Sequence, residues 1–440
     1  MKRAYLADLL DFTAAPAWGE RESLTVRWRP AHWLLVDGSG RIVAVQPEAP
    51  GPDWVHDRQP GRLLLPGFID CHVHSPQIGV LGSWGSELLD WLNTYTFPAE
   101  TAWSDPAVAA RGTAHFLDAL LAHGTTAAAV FPTVHAHSAA ALFEGAAARG
   151  MRMIAGKVLM DRHCPPGLSD DPADVARAER DCVDLIDRHH GRDRNAYAVT
   201  VRFAPTSTPA QLAMAGALCR ADPTLYMQTH VAENRAEGRW VAELFGDARS
   251  YLDVYDRVGL VHPRALLAHG IWLDDTDRAV LRERGAAVAH CPSSNLFLGS
   301  GLLDWPRLQR QGVAVGLASD VGGGTSLSML RTLAAAYQVQ ALRAGLAEAT
   351  EPRLTAWVAL DAATRGAAAA LQLGHEIGRL EPGLMADFTL WDWQATEVDR
   401  ERQRLARDLH ERVFAWLTLA DERHLVGTWV GGQPRYARTP

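Results

Sequence analysis

From about residue 63 the chain alternates short apolar runs with longer Ala- and Leu-rich amphipathic stretches. The apolar runs are "LLLPGFIDCHVH", "TTAAAVFPT", "MRMIAGKVLM", "AYAVTVRFAP", "TLYMQTH", "ALLAHG", "AAVAHCP" and "VAVGLASD". Apolar runs of this length predict buried strands, and the stretches between them, at 107–122, 173–189, 210–220, 235–246 and 273–284, predict helices. Strand and helix in alternation, without hairpin turn signals, predict a parallel sheet, and eight such units predict a (β/α)8 TIM-type barrel. A doubly wound sheet is the alternative, but no GxGxxG follows the first strand. Residues 326–372 read as helices after the eighth strand.

The two ends carry a different pattern. Residues 1–62 ("LTVRWRP", "HWLLVDGSGRIVAV") and 377–440 ("ADFTLWD", "LVGTWVGGQPRYA") read as short strands separated by Gly turns. They are expected to meet in one small β-sandwich domain beside a barrel spanning 63–376.

Composition narrows the function classes. The chain has 440 residues, 48% of them hydrophobic, and a formal charge of −8. That is enough apolar content for a large core, and the charge argues against a nucleic-acid partner. Asp8 and Asp11 interrupt the apolar stretch near the start, and no window reaches the roughly 18 apolar residues of a membrane span. Cys71, Cys164, Cys182, Cys219 and Cys291 are scattered and form no CxxC, which suits a reduced cytoplasm. Lys2 and Lys157 are the only lysines.

Candidate chemistry gathers at strand ends. In a strand, residues i and i+2 face the same way, so His72 and His74 point together from the end of the first strand, side by side as suits zinc or, alternatively, as a hydrogen-bonded polar pair at a strand end. His135 and His137 have the same spacing, yet Ser138 reads as the N-cap of the following helix, so this pair reads as helix entry. The rest of the shell separates the two pairs. His230, His269 and Asp320 each end a predicted strand, on the face where barrels of this kind place their chemistry. His290 also ends a strand and is kept as a structural or supporting residue. Glu233, three residues after His230, is either a solvated acid at a helix start or a proton carrier beside an activated water. HExxH, GxSxG, P-loop and HxE…PCxxC signatures are absent.

"PGFIDCHVH", "THVAEN", "LAHG" and "ASD", in this order, resemble the metal-dependent amidohydrolase superfamily. "HSPQ", "LLDWLNTYTFPAE", "RFAPTSTPAQL", "HCPSSNLFLGSG" and "SDVGGGTSLSML" resemble its guanine deaminase family in particular. The resemblance implies one zinc per chain held by His72, His74, His230 and Asp320, with His269 beside the water it activates. It implies substrate contacts at Gln77, Arg202 and Phe203, with Pro76 fixing the backbone so that Gln77 turns toward the pocket. Two-metal members use a carboxylated lysine near the end of strand four; this strand has none, and Lys157 falls on strand three. The implied reaction is zinc-dependent deamination of guanine to xanthine, with Glu233, Asp320 and His269 catalytic. A cytoplasmic homodimer is implied as well. Ser75 and Val201 depart from the family pattern, which often has tyrosine and proline there. Deamination of another aminated heterocycle, such as an oxidised guanine, is the nearest alternative, and a catalytically silent barrel that binds partners is the alternative of a different class.

Overall fold

A computed structural model describes residues 1–85, 88–347 and 352–438. Eight strands follow one another across a parallel sheet that nearly closes into a barrel: Phe68–His74, Thr125–Phe131, Arg152–Ala155, Asn195–Val201, Tyr226–Val231, Ala265–His269, Ala287–His290 and Ala314–Leu317. The first, second and fourth are buried at every position, as strands covered on both faces must be. The seam is bridged just past the last strand. Asp320 N donates to His72 O at 2.9 Å, and His74 N donates to Val321 O at 2.9 Å.

The third unit departs from a single strand. "MRMIAGKVLM" breaks into Arg152–Ala155 and a short Val158–Leu159, which pairs with Asn195–Val201 off the main path. Gly156 explains the break, because a Cβ there would lie 1.9 Å from Ala198 O. The backbone approaches too closely for any side chain.

The helices match their signals. Pro106–Ala122, Val175–His189, Pro209–Ala221, Arg235–Leu244 and Asp275–Arg284 cover the predicted stretches. Asp174, Thr208, Asn234 and Asp274 cap four of them, each accepting a backbone N–H with its side chain. One cap differs from expectation. The helix Ala136–Arg149 begins after His135, so Ser138 lies inside its first turn, where its hydroxyl accepts from Thr133 N and donates to His135 O. The sequence also places helices after the eighth strand, and Met329–Leu346, Ala356–Ala362 and Arg365–Ala370 stand there.

Both chain ends enter one seven-stranded sheet. Its strands Arg3–Phe12, Val26–Val36, Ile42–Gln46 and Val55–Pro66 come from the start, and Phe388–Trp391, Leu425–Val430 and Gln433–Ala437 from the finish. Tyr5, Leu34, Leu64, Phe388 and Trp429 form its core, with the Phe388 and Trp429 rings stacked at 4.9 Å. The late segment is not all strand. Glu397–Arg404 and Leu409–Leu419 are helices, capped by Thr396 and Asp408. The chain divides into two compact units. One holds residues 71–117 and 128–326, including every candidate site residue; the other holds 1–70, 118–127 and the chain from Leu327 on.

Candidate active site

The histidines converge where the barrel strands end. His72 and His74 leave the first strand on one face, with their Nε2 atoms 3.1 Å apart. His230, near the end of Tyr226–Val231, brings its Nε2 to 3.3 Å from that of His74. Asp320 Oδ1 lies 3.2 Å from His72 Nε2 and 3.4 Å from His74 Nε2. One atom from each of these four residues falls within 4.8 Å of all the others. The far side of His230 is tied down, since its Nδ1 pairs with Arg202 O at 2.6 Å. That contact fixes the ring and leaves Nε2 facing the cluster.

The electrostatics suit a cation. Burial pushes His74 down to about 3 and His230 well below the ordinary histidine value, so both are neutral imidazoles with lone pairs to give. Burial works against a charged Asp320, but hydrogen bonds from His72 and His74 hold its carboxyl well below the usual range. Three imidazole nitrogens and one carboxylate oxygen, gathered this closely, form a donor set that fits a divalent metal ion such as zinc.

His269 and Glu233 flank the cluster. His269 Nε2 is 3.7 Å from Asp320 Oδ2 and 3.4 Å from Glu233 Oε2, and no hydrogen bond satisfies it. Its Nδ1 meets Asn295 Oδ1 at 2.9 Å, which holds the ring in place. Both His269 (φ +71°) and Asp320 (φ +50°) sit in the left-handed region. For non-glycine residues this costs about 1–3 kcal/mol each, the sort of strain found where function dictates geometry. Glu233 is buried and accepts from Ser300 Oγ at 3.1 Å. Burial first, and then the charge of Asp320, raise its carboxyl to about 8.

One pocket joins these groups to Gln77, Arg202 and Phe203. Pro76 stands in the first turn of a 3-10 helix, Ser75–Val80, which buries Gln77. The glycine run after Asp320 packs against that turn. Gly322 N donates to Gln77 Oε1 at 3.0 Å, and a Cβ on Gly322 would lie 2.8 Å from Gln77 O. Ser75 is fully buried, and Val201 ends its strand in the core.

Three strand-end or paired histidines stay apart from the cluster. His135 and His137 stack on each other at the helix entry, with His137 Nε2 2.9 Å from Trp103 O. His290 is buried against Trp305, and among the described residues neither ring nitrogen has a hydrogen-bond partner.

The sequence reading missed four residues that bear on the site: Glu100, Glu237, Asn295 and Ser300. Glu100 lies in "TYTFPAE", an acid surrounded by apolar residues in a helical run, and that mismatch was the available signal. Glu237 completes the capping box with Asn234, readable as N-x-x-E, and its carboxylate also accepts from Glu233 N at 3.0 Å.

The amidohydrolase family profile matches residues 63–435. The chain belongs to the amidohydrolase family. Among amidohydrolases, the guanine deaminase of Escherichia coli (strain K12) is 41% identical over 388 residues, 88% of this chain and 86% of that protein. The solved E. coli guanine deaminase structure matches with a TM-score of 0.92 at 36% identity over 100% of both chains. A guanine deaminase from C. acetobutylicum, solved with guanine bound in the active site, matches with a TM-score of 0.88 at 25% identity, over 99% of this chain and 100% of that one. Amidohydrolases are metal-dependent, and the His72–His74–His230–Asp320 cluster is where this one can hold an ion. Among the described residues no helix is long and apolar enough to cross a membrane.

Proposed function

We propose that this amidohydrolase hydrolyses guanine to xanthine and ammonia, with one zinc ion per chain held by His72, His74, His230 and Asp320. The observation that carries the reading is a single pocket lined by His74, His230 and Asp320 of the converged set together with Gln77, Arg202, Phe203 and Glu233. The guanine deaminases of E. coli and C. acetobutylicum support the choice of substrate.

Zinc bound there supplies a Lewis acid that lowers the pKa of water toward neutrality. The remaining steps belong to the chain. Asp320 accepts the proton of the attacking water through Oδ2, the oxygen turned toward His269. Glu233, raised to about 8, enters protonated at neutral pH and gives its proton to the ring nitrogen beside the attacked carbon. His269, held by Asn295, aims Nε2 at the oxygen on which charge develops. The proton held by Asp320 then passes to the amino group, which leaves as ammonia. The second proton of the water returns from the new oxygen to Glu233, leaving a carbonyl on the product.

Substrate choice follows from donors and acceptors. Guanine offers O6 and N7 as neighbouring acceptors, a pair that an arginine fork meets well. Arg202 supplies donors, Gln77 offers both a donor and an acceptor, and Phe203 packs against the ring. Adenine has an amino donor at position 6, and a buried donor-to-donor mismatch costs about 1–3 kcal/mol. A silent scaffold needs neither the converged ligands nor a buried acid beside them. The five thiols form no disulfide, which supports the cytoplasm as the compartment. The homodimer rests on the family resemblance, and sedimentation of the purified protein decides it.

The test is ammonia release by zinc-loaded enzyme from guanine, 8-oxoguanine, adenine and cytosine. Guanine should be the fastest, with essentially nothing from adenine or cytosine. Guanine left untouched, or adenine turned over equally fast, overturns the reading.

A further inference from the structure

The run of helix from Leu88 to Thr101 carries an acid that no solvent reaches. Glu100 is 0% exposed, in a segment whose other buried residues are Leu88, Trp91, Leu92, Thr96 and Phe97. A carboxylate in such surroundings persists only when it is paired. Its partners are two residues that line the substrate pocket. Arg202 Nη1 donates to Glu100 Oε1 at 2.6 Å and Oε2 at 2.5 Å, and Gln77 Nε2 donates to Oε1 at 2.8 Å. Phe97, three residues earlier and so on the same helix face, lies beneath the Arg202 guanidinium at 5.5 Å.

We infer that Glu100 is a positioning residue for substrate recognition, setting how Gln77 and Arg202 face the pocket. The inference rests on the guanine reading above. The Gln77 amide has two orientations related by a flip. In one, Nε2 points to the Glu100 carboxylate while Oε1 accepts from Gly322 N. The flipped amide would set oxygen against carboxylate and N–H against N–H, so both neighbours reject it. Gln77 is thereby left with one N–H and one lone pair to offer, in a fixed order. Arg202 is held likewise. Its Nη1 is spent on Glu100, so the donors that remain lie on Nε and Nη2. Arg202 is itself only 3% exposed, and a guanidinium so buried keeps its place because the carboxylate neutralises it. Glu100 therefore acts on substrate through two other side chains and touches none of the reacting atoms.

Gln77 and Arg202 grip the ring away from the carbon under attack, so their contacts are made equally in the bound and transition states. Losing them raises KM more than it lowers kcat. The experiment is steady-state kinetics and metal analysis of Glu100→Gln, which keeps the shape and removes the charge. Full metal content, a KM for guanine raised at least tenfold and a kcat within threefold of wild type are expected. On an Arg202→Ala background the same change should raise KM by clearly less than it does in wild type, since only Gln77 is left for Glu100 to act through. Glu100→Asp keeps the charge but withdraws it from both partners, and gives the same split if the Gln variant does not fold. Wild-type KM in a folded, metal-loaded variant overturns the inference, as does a rise in KM undiminished on the Arg202→Ala background. If wild type instead deaminates another heterocycle, the substrate reading falls, and the same ratios measured on that heterocycle still decide the role of Glu100.

Discussion

Glu233 Oε2 stands 3.4 Å from His269 Nε2, a buried acid facing a buried imidazole at the edge of the ligand cluster. In the proposed mechanism Glu233 moves a proton and His269 steadies the developing charge. Glu233 is held near 8 by burial and by Asp320, while His269 is oriented from behind by Asn295.

Glu233→Gln keeps the size and the hydrogen bond to Ser300 but carries no transferable proton. Metal content and KM should stay near those of wild type, with kcat lower by on the order of a hundredfold or more. Steady-state kinetics on metal-loaded protein decides it, and wild-type turnover would return Glu233 to a structural role.

Metal analysis separates the two histidine pairs. Wild type should carry about one divalent ion per chain. His72→Ala and His230→Ala should lose both ion and activity, whereas His135→Ala and His137→Ala should keep the ion. Loss of metal from His135→Ala, with His72→Ala still loaded, would overturn the ligand assignment.

Arg202→Ala should depress kcat/KM for guanine while the metal stays bound. Because the change strands the Glu100 carboxylate, it should also lower Tm, and adding Glu100→Gln should recover part of that loss. Calorimetry of the single and double variants reads this out.

Glu237 gives a pH signature. Burial, and then the charge of Glu233, raise its carboxyl to about 7 from an ordinary 4.5. Between those values the folded chain holds a proton that the unfolded chain has released, so this stability is present in acid and is lost as pH rises to about 7. Glu237→Gln removes this residue's share of the slope. Relative to wild type, the variant should gain on the order of a few kcal/mol between pH 4 and pH 8. Urea melts of metal-free protein at the two pH values test it, and parallel profiles would refute it.

The parts of the molecule visible in the sequence are those where one residue type has one reading. Thr125–Phe131 is apolar enough to be nothing but a buried strand, and His230 and His269 stand at strand ends where no packing role requires them. Glu100 and Glu237 carried only weak signals, because an acid in a helical stretch ordinarily means a solvated face. Only the fold shows that these two point inward. The helices Glu397–Arg404 and Leu409–Leu419 were hidden for a related reason. The first forms local charge pairs such as Arg404 with Glu401, without the apolar stripe that marks a helix on a core. The second is a short apolar run, burying Val413, Ala415, Trp416 and Leu417, that reads equally as strand.

The seam of the barrel has a consequence for how the enzyme is made. The backbones of His72 and Asp320 are hydrogen-bonded to each other, and their side chains are two of the four that could hold the metal ion. One lies near the start of the barrel and the other just past its last strand. A nascent chain therefore has no complete site until nearly the whole barrel has left the ribosome, and a chain cut short before Asp320 would hold at most three of the four ligands. Metal acquisition is tied to completion of the fold, so a loaded site certifies a closed ring.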